Sequence, residues 1–213
     1  MKKIISKRKY KRTANIIVFL MMAVIQLLCS ISSLFGQQLK GGDTIANFSF
    51  IAVSGIQYEY QDFYDKKVVL VFFRYAGSPS CNSRIHELRE EYSQFRSDNF
   101  EVIVVFESTV ETLKEYSADA DLPFIVVADP ELKLYKKFGV ERSLGKTLKT
   151  IFKKKTKEAR KNGKKLYGEK KYKKEGARTR IPAEFILEKS RVREANYGNY
   201  IGDYLPLYRI NQF

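Results

Sequence analysis

The sequence predicts an α/β fold, with a central mixed sheet flanked by helices and a basic insertion before a last β-hairpin. Three observations carry this. Residues 68–73 (VVLVFF) and 102–106 (VIVVF) are unbroken apolar runs rich in β-branched residues, as expected of strands covered on both faces. Between such runs, apolar residues recur three or four apart on a charged background, the period of an amphipathic helix. The last two short runs, 185–187 and 192–197, are separated by a turn at 188–190, close enough to pair as an antiparallel hairpin.

Taken in order, residues 45–53 alternate loosely through Ile45, Phe48, Phe50 and Ile51, with Gly55 as a turn. The 68–73 run follows as a buried strand. Residues 80–96 place Ile85, Leu88, Tyr92 and Phe95 on one helical face. After the 102–106 strand, residues 109–120 read as a helix with Val110, Leu113 and Tyr116 on one side. A third strand at 124–128 is ended by Asp129-Pro130, and a short helix at 132–138 is stopped by Gly139. Asp129 and Pro130 read as a turn and cap rather than a site. No internal repeat is present.

The chain has 213 residues, enough for one domain with a leader or an insertion to spare, and 44% are apolar. The net charge of +15 is unevenly placed. Residues 1–12 carry +7 and residues 146–180 carry +13, which leaves −5 for everything else. That map disfavours a domain that reads nucleic acid across its surface. Two cysteines, Cys29 and Cys81, and one histidine, His86, are too few for a structural zinc site of about four ligands. They also exclude a disulfide scaffold. A phosphate-cradling Gly-Lys loop is missing.

The first residues read as an address. A cationic start is followed at 16–35 by a stretch without charge, then by Gly36 and Gln37. Residues 1–36 are therefore expected to be a signal peptide or an N-terminal membrane anchor, with residues 37–213 as the domain. Either form places the domain outside the cytoplasm, in the periplasm or held to the membrane. Cys81 is then the only thiol of the exported part.

The chemistry concentrates where the 68–73 run ends, in Arg74-Tyr75-Ala76-Gly77-Ser78-Pro79-Ser80-Cys81. A cysteine at a helix start faces orphan N–H groups and the positive end of the helix dipole, both of which favour thiolate. Gly77 and Pro79 suit the turn. The Ser78 hydroxyl is placed three residues before the thiol, and Arg74 and Arg84 are nearby cations. A free cysteine is also often a small core filler; the strand–turn–Cys–helix context favours reactivity.

Several segments agree in order with a known pattern: residues 42–48 (GDTIANF), the 68–73 strand, Ser78-x-x-Cys81, Ala128-Asp129-Pro130 through Tyr135 to Phe138-Gly139-Val140, and residues 181–187 (IPAEFIL). Over roughly residues 41–203 the chain resembles the peroxiredoxin branch of the thioredoxin-like superfamily, the alkyl hydroperoxide reductase and thiol-specific antioxidant group. The resemblance implies a thioredoxin-like fold and a peroxide substrate attacked by Cys81. It also implies an external thiol reductant, no cofactor, and a cis bond before Pro182. Two positions depart from the pattern. Arg74 stands where the family has Pro, and Pro182 stands near the family's late Arg, with Arg180 two residues earlier. Arg74 or Arg180 would supply the missing cation beside Ser78.

The expected function is thus that of an exported one-Cys peroxiredoxin-like thiol peroxidase, with Cys81, Ser78, Arg74 and Arg180 as catalytic candidates. Ser78 at the first position of the S-x-x-C pair excludes an internal dithiol shuttle. His86, five residues beyond Cys81, reads as a surface or packed residue. The alternative is a catalytically reduced module of the same fold that binds a partner or an anionic membrane surface through the basic insertion at about 142–180. In that insertion Leu144, Leu148, Ile151 and Phe152 recur at helical spacing, and lysines dominate from Lys153 on. The insertion is expected to be largely solvated.

Overall fold

The computed structural model describes Phe19, Met21, Met22 and residues 37–166 and 175–213. The leader or anchor expected at 1–36 lies almost wholly outside the described residues, as does part of the basic stretch. Among the described residues no helix is long and apolar enough to cross a membrane.

The central sheet has five strands. They are β3 (Lys67–Phe72), β4 (Phe100–Phe106), β5 (Ile125–Ala128), β6 (Ala183–Glu188) and β7 (Arg191–Tyr197), in the order β5-β4-β3-β6-β7. β4 runs parallel to both β3 and β5, whereas β6 is antiparallel to both β3 and β7. The unbroken apolar runs follow from covering both faces. Val69, Val71 and Phe73 face one core cluster with Val102, Val104 and Phe106. Val68, Leu70 and Phe72 face the other with Ile103, Val105, Phe185 and Leu187. With a side-chain period of two, apolar residues are then favoured at every position of such a strand.

The first face is covered by α1 (Pro79–Glu90), α2 (Tyr92–Ser97) and α3 (Val110–Ala120). Ile85, Leu88, Phe95, Leu113 and Tyr116 are buried there. The expected helix at 80–96 is divided at Glu91, which ends α1 and begins α2. Val110 is exposed, while Leu113 and Tyr116 turn inward, so only part of that predicted face is buried. The second face is covered by α4 (Lys133–Lys137) and by a separate hairpin of β1 (Ser49–Ile51) and β2 (Gln57–Glu59). The segment read as 45–53 contributes only β1, and its Phe48 and Phe50 pack on Tyr60 and Phe63. Asp129 caps α4, its carboxylate accepting the N–H groups of Lys133, Leu134 and Tyr135 at 2.8–3.1 Å.

One expectation is corrected. No cis peptide occurs among the described residues, so Pro182 follows Ile181 in trans. The trans form is the ordinary preference even before proline, and here the chain runs straight into β6, with the Pro182 carbonyl accepting from Gly198 N at 3.0 Å. The stretch after Arg142 is mostly exposed, as its composition implies, yet its described residues are ordered. It forms α5 (Leu144–Lys149), a 3-10 turn (Thr150–Phe152) and α6 (Lys154–Leu166). Thr150, Thr156 and Gly163 are buried. Thr150 Oγ1 accepts from Ile201 N at 3.0 Å and Thr156 Oγ1 donates to Ile201 O at 2.9 Å. Lysines crowd the rest of the segment, so composition hid these small anchors. The C-terminal α7 (Leu207–Ile210) completes the chain.

Burial pushes the phenols of Tyr60, Tyr135 and Tyr204 well above the ordinary range. It pushes Tyr197 up to about 12, although the Leu39 N–H steadies the phenolate. An acid whose folded pKa lies above its unfolded value of about 10 contributes stability below that pH. The contribution disappears as pH rises through the folded value. The thermal midpoint should therefore be level up to about pH 10 and fall steeply towards about pH 12, in step with the absorbance of tyrosinate.

Candidate functional site

β3 carries the chain to Phe73 at the sheet's centre, and Arg74 to Ser78 make the turn into α1. Gly77 sits at φ 68°, a conformation glycine adopts freely. The turn is held against the end of β4: Glu107 N donates to Arg74 O at 2.9 Å, and Ala76 N donates to Ser108 Oγ at 2.9 Å. Ser78 has the extended backbone of a helix cap and Pro79 opens the helix, which puts Cys81 in its first turn.

Ser78 does not cap the helix with its side chain. Its Oγ instead accepts from Arg74 Nη2 at 2.9 Å and lies 3.5 Å from Ser80 Oγ. Arg74 Nη1 donates to Arg178 O at 3.2 Å. Arg74 is 7% exposed and its buried Nε has no hydrogen-bond partner among the described residues, which leaves that donor unused there. Cys81 is 1% exposed and belongs to the same core cluster as Phe73 and Ile85. The Tyr204 hydroxyl approaches its Sγ at 3.8 Å.

The four candidate residues thus fall into two groups. Cys81, Ser78 and Arg74 share one turn. Arg180 is paired through Nε with the buried Glu107 carboxylate, donates through Nη1 to Val140 O at 2.7 Å, and lies 4.7 Å from the Tyr135 ring centroid. His86 stands beside Glu90, with Nδ1 3.7 Å from Oε1. Among the described residues no group of three or more His, Cys, Asp or Glu side chains is placed to hold a metal.

The residues missed from the sequence are Tyr204 and Glu184, whose partner Arg84 reads there only as a cation near the thiol. Arg84, one turn after Cys81, donates from Nε to Glu184 Oε1 at 2.8 Å and from Nη2 to Oε2 at 3.1 Å. Both residues are almost fully buried. Arg84 Nη2 also donates to Leu205 O at 2.8 Å, and Leu205 N donates to Glu184 Oε2 at 2.6 Å. Burial pushes the Glu184 carboxyl above the usual carboxylate range, against the pull of Arg84 and the Leu205 N–H. Burial also opposes the Arg84 charge, but Glu184 and Glu87 outweigh it and hold the guanidinium above its ordinary value. An acid inside the apolar run at 183–187 was the one available signal, because a buried charge requires a partner.

A cleft of about 400 Å³ is lined by Ser80, Ser83, Arg84, Tyr204 and Leu205 among others, the neighbours of Cys81 rather than the thiol itself. A larger cleft of about 790 Å³, around Tyr58, Lys66, Tyr92 and Arg96, likewise contains none of the four candidates.

A buried thiol on the first turn of the helix after the central strand of a mixed sheet defines a thioredoxin-fold thiol protein. The pattern of the AhpC/TSA family matches residues 42–194, and the chain belongs to that family. It is similar to peroxiredoxin Bcp of Escherichia coli (strain K12), 28% identical over 112 residues, covering 51% of this chain and 72% of the relative. It is also similar to the chloroplastic peroxiredoxin Q of Sedum lineare, 27% identical over 117 residues, 55% of this chain and 62% of the relative. Among solved structures, a cysteine-to-serine mutant of Xylella fastidiosa PrxQ superposes with a TM-score of 0.59 at 17% identity, covering 83% of this chain and 94% of that one. Peroxidoxin BcpB of Mycobacterium tuberculosis gives 0.58 at 17%, covering 78% and 90%. The chain is a peroxiredoxin-type oxidoreductase with thiol-peroxidase chemistry of the one-Cys kind.

Removing one partner of a buried ion pair costs about 3–5 kcal/mol, whereas replacing both by apolar residues is often neutral. Glu184→Gln should therefore lower the urea midpoint sharply. Arg84→Met with Glu184→Leu should restore much of the loss while leaving the Leu205 backbone without its partners.

Proposed function

We propose that Cys81 is the peroxidatic thiol of an exported one-Cys peroxidase, and that Arg74 and Ser78 hold the oxidant. The observation that carries this is the Arg74–Ser78 hydrogen bond beside the first turn that bears Cys81. The thiolate Sγ attacks the terminal oxygen of the peroxide, an S–O bond forms, the O–O bond breaks, and the leaving alkoxide takes a proton from water. Cys81 becomes a sulfenic acid. No second cysteine exists after residue 36 to close an internal disulfide. An external thiol therefore condenses with the sulfenic acid, releasing water, and a second thiol reduces the mixed disulfide. Arg74 rather than Arg180 serves the oxidant, because the Arg180 charge is engaged by Glu107. Cys81→Ser should abolish peroxide consumption. Ser78→Ala and Arg74→Met should each slow it by about tenfold or more, the worth of one charge-assisted hydrogen bond. A dimedone-type probe should trap the sulfenic acid on the wild type. A folded wild type whose Cys81 resists both peroxide and alkylating agents would leave the binding module as the better reading.

We further propose that the basic stretch at about 142–180 is an insertion that rests on an anionic phospholipid surface. Leu144, Leu148, Ile151 and Phe152 are 55–85% exposed along one helical stretch. Lys149, Lys153, Lys154 and Lys155 adjoin them in the chain. Apolar side chains interspersed with lysine suit the headgroup region of an anionic bilayer. The cationic start and uncharged run of residues 1–35 support export to that compartment. Vesicles containing phosphatidylglycerol should co-sediment with the protein and neutral vesicles should not, and salt should weaken the binding. Leu148→Asp with Phe152→Asp should remove it. Equal affinity for neutral vesicles, or none for anionic ones, overturns the proposal.

A further inference from the structure

We propose that Tyr204 is a further catalytic residue of this thiol site, its phenol donating a hydrogen bond to Cys81 Sγ through the attack on peroxide. The inference rests on the peroxidase reading above. The hydroxyl lies 3.8 Å from the sulfur, within reach for a sulfur acceptor. Tyr204 is half-buried: it lines the cleft of about 400 Å³ while its hydroxyl reaches the thiol.

The position is built rather than incidental. The next residue, Leu205, is held through both its N–H and its carbonyl by the buried Glu184–Arg84 pair. The preceding residue, Asp203, accepts from Asn196 Nδ2 through its carbonyl at 3.2 Å. Ile201 is clamped on both sides by Thr150 and Thr156. The ring meets Phe73 edge-on at 5.9 Å, and the Arg84 guanidinium lies over it at 5.5 Å. Three anchors and two ring contacts aim one hydroxyl at the reacting sulfur.

The hydroxyl is a donor and not a base. Burial, then the negative charges of Cys81 and Glu184, keep its proton on well above the ordinary phenol range, although Arg74 pulls the other way. During the reaction the Tyr204 proton stays on its oxygen. Its hydrogen bond steadies the thiolate sulfur through the attack. It then passes to the sulfenic acid, while the leaving alkoxide takes its proton from water.

Tyr204→Phe keeps the ring contacts and deletes the donor. Iodoacetamide alkylation of folded Cys81 over a pH series, read beside peroxide consumption, tests the role. The alkylation midpoint should move up by about one pH unit and the neutral-pH rate should fall about tenfold, with little change in thermal midpoint. A fluorotyrosine at position 204, a stronger donor, should move the alkylation midpoint the other way, and it serves where Tyr204→Phe fails to fold. Alkylation profiles that superimpose on the wild type in both proteins overturn the role of Tyr204. A wild type that is alkylated but consumes no peroxide instead fails the peroxidase reading, and the alkylation comparison still decides the role of Tyr204.

Discussion

The buried pair of Arg84 and Glu184 is the constraint on which the site depends. It joins three parts of the chain that are far apart in sequence: the helix that carries Cys81, the antiparallel strand β6, and the segment around Leu205. Neither charge has an exit to solvent, since the side chains are 2% and 1% exposed. Each therefore holds the other in one geometry, and the donors and acceptors around them are satisfied by the backbone they position. Such a pair adds little net stability compared with an apolar substitute. What it contributes is registration: the second turn of α1 and Leu205 are held to the same carboxylate.

Ser78 shows a local conflict resolved in favour of the site. A serine at a helix cap ordinarily accepts from a backbone N–H two or three residues on, an interaction worth about 1 kcal/mol. Here its oxygen accepts from Arg74, so the cap is forgone and the hydroxyl is tied to a cation. The helix recovers part of the loss from Pro79, which has no N–H to satisfy. Local departures of this kind concentrate where chemistry takes precedence over stability.

What could be read from the sequence depended on whether a residue's burial leaves a pattern. The runs at 68–73 and 102–106 announced a sheet covered on both faces, because strands of that kind select apolar residues on both sides. The turn to Cys81 was equally visible, since Gly77, Ser78 and Pro79 are residues that such a turn selects. The hairpin of β1 and β2 was half hidden, because three residues are too few to show a period. The break at Glu91 has no Gly or Pro to mark it. Tyr204 left no local signal, because its partner lies 123 positions away. The lysine-rich stretch was legible in its exposure but not in its anchors, because Thr150, Thr156 and Gly163, the residues it buries, leave no apolar pattern.

That glycine carries a wider consequence. A Cβ at Gly163 would run into the carbonyl of Pro79, so α6 can rest on the start of the Cys81 helix only at a residue without a side chain. Thr156, seven residues earlier, grips Ile201. Seven residues are about two turns, so both anchors lie on one face of the helix. The lysines between them are free to drift in identity, but the spacing is not free to change. Loss or gain of one residue would swing the second anchor by about 100° and put a side chain where none fits. The segment that looks most dispensable by composition is therefore tolerant of substitution and intolerant of a change in length.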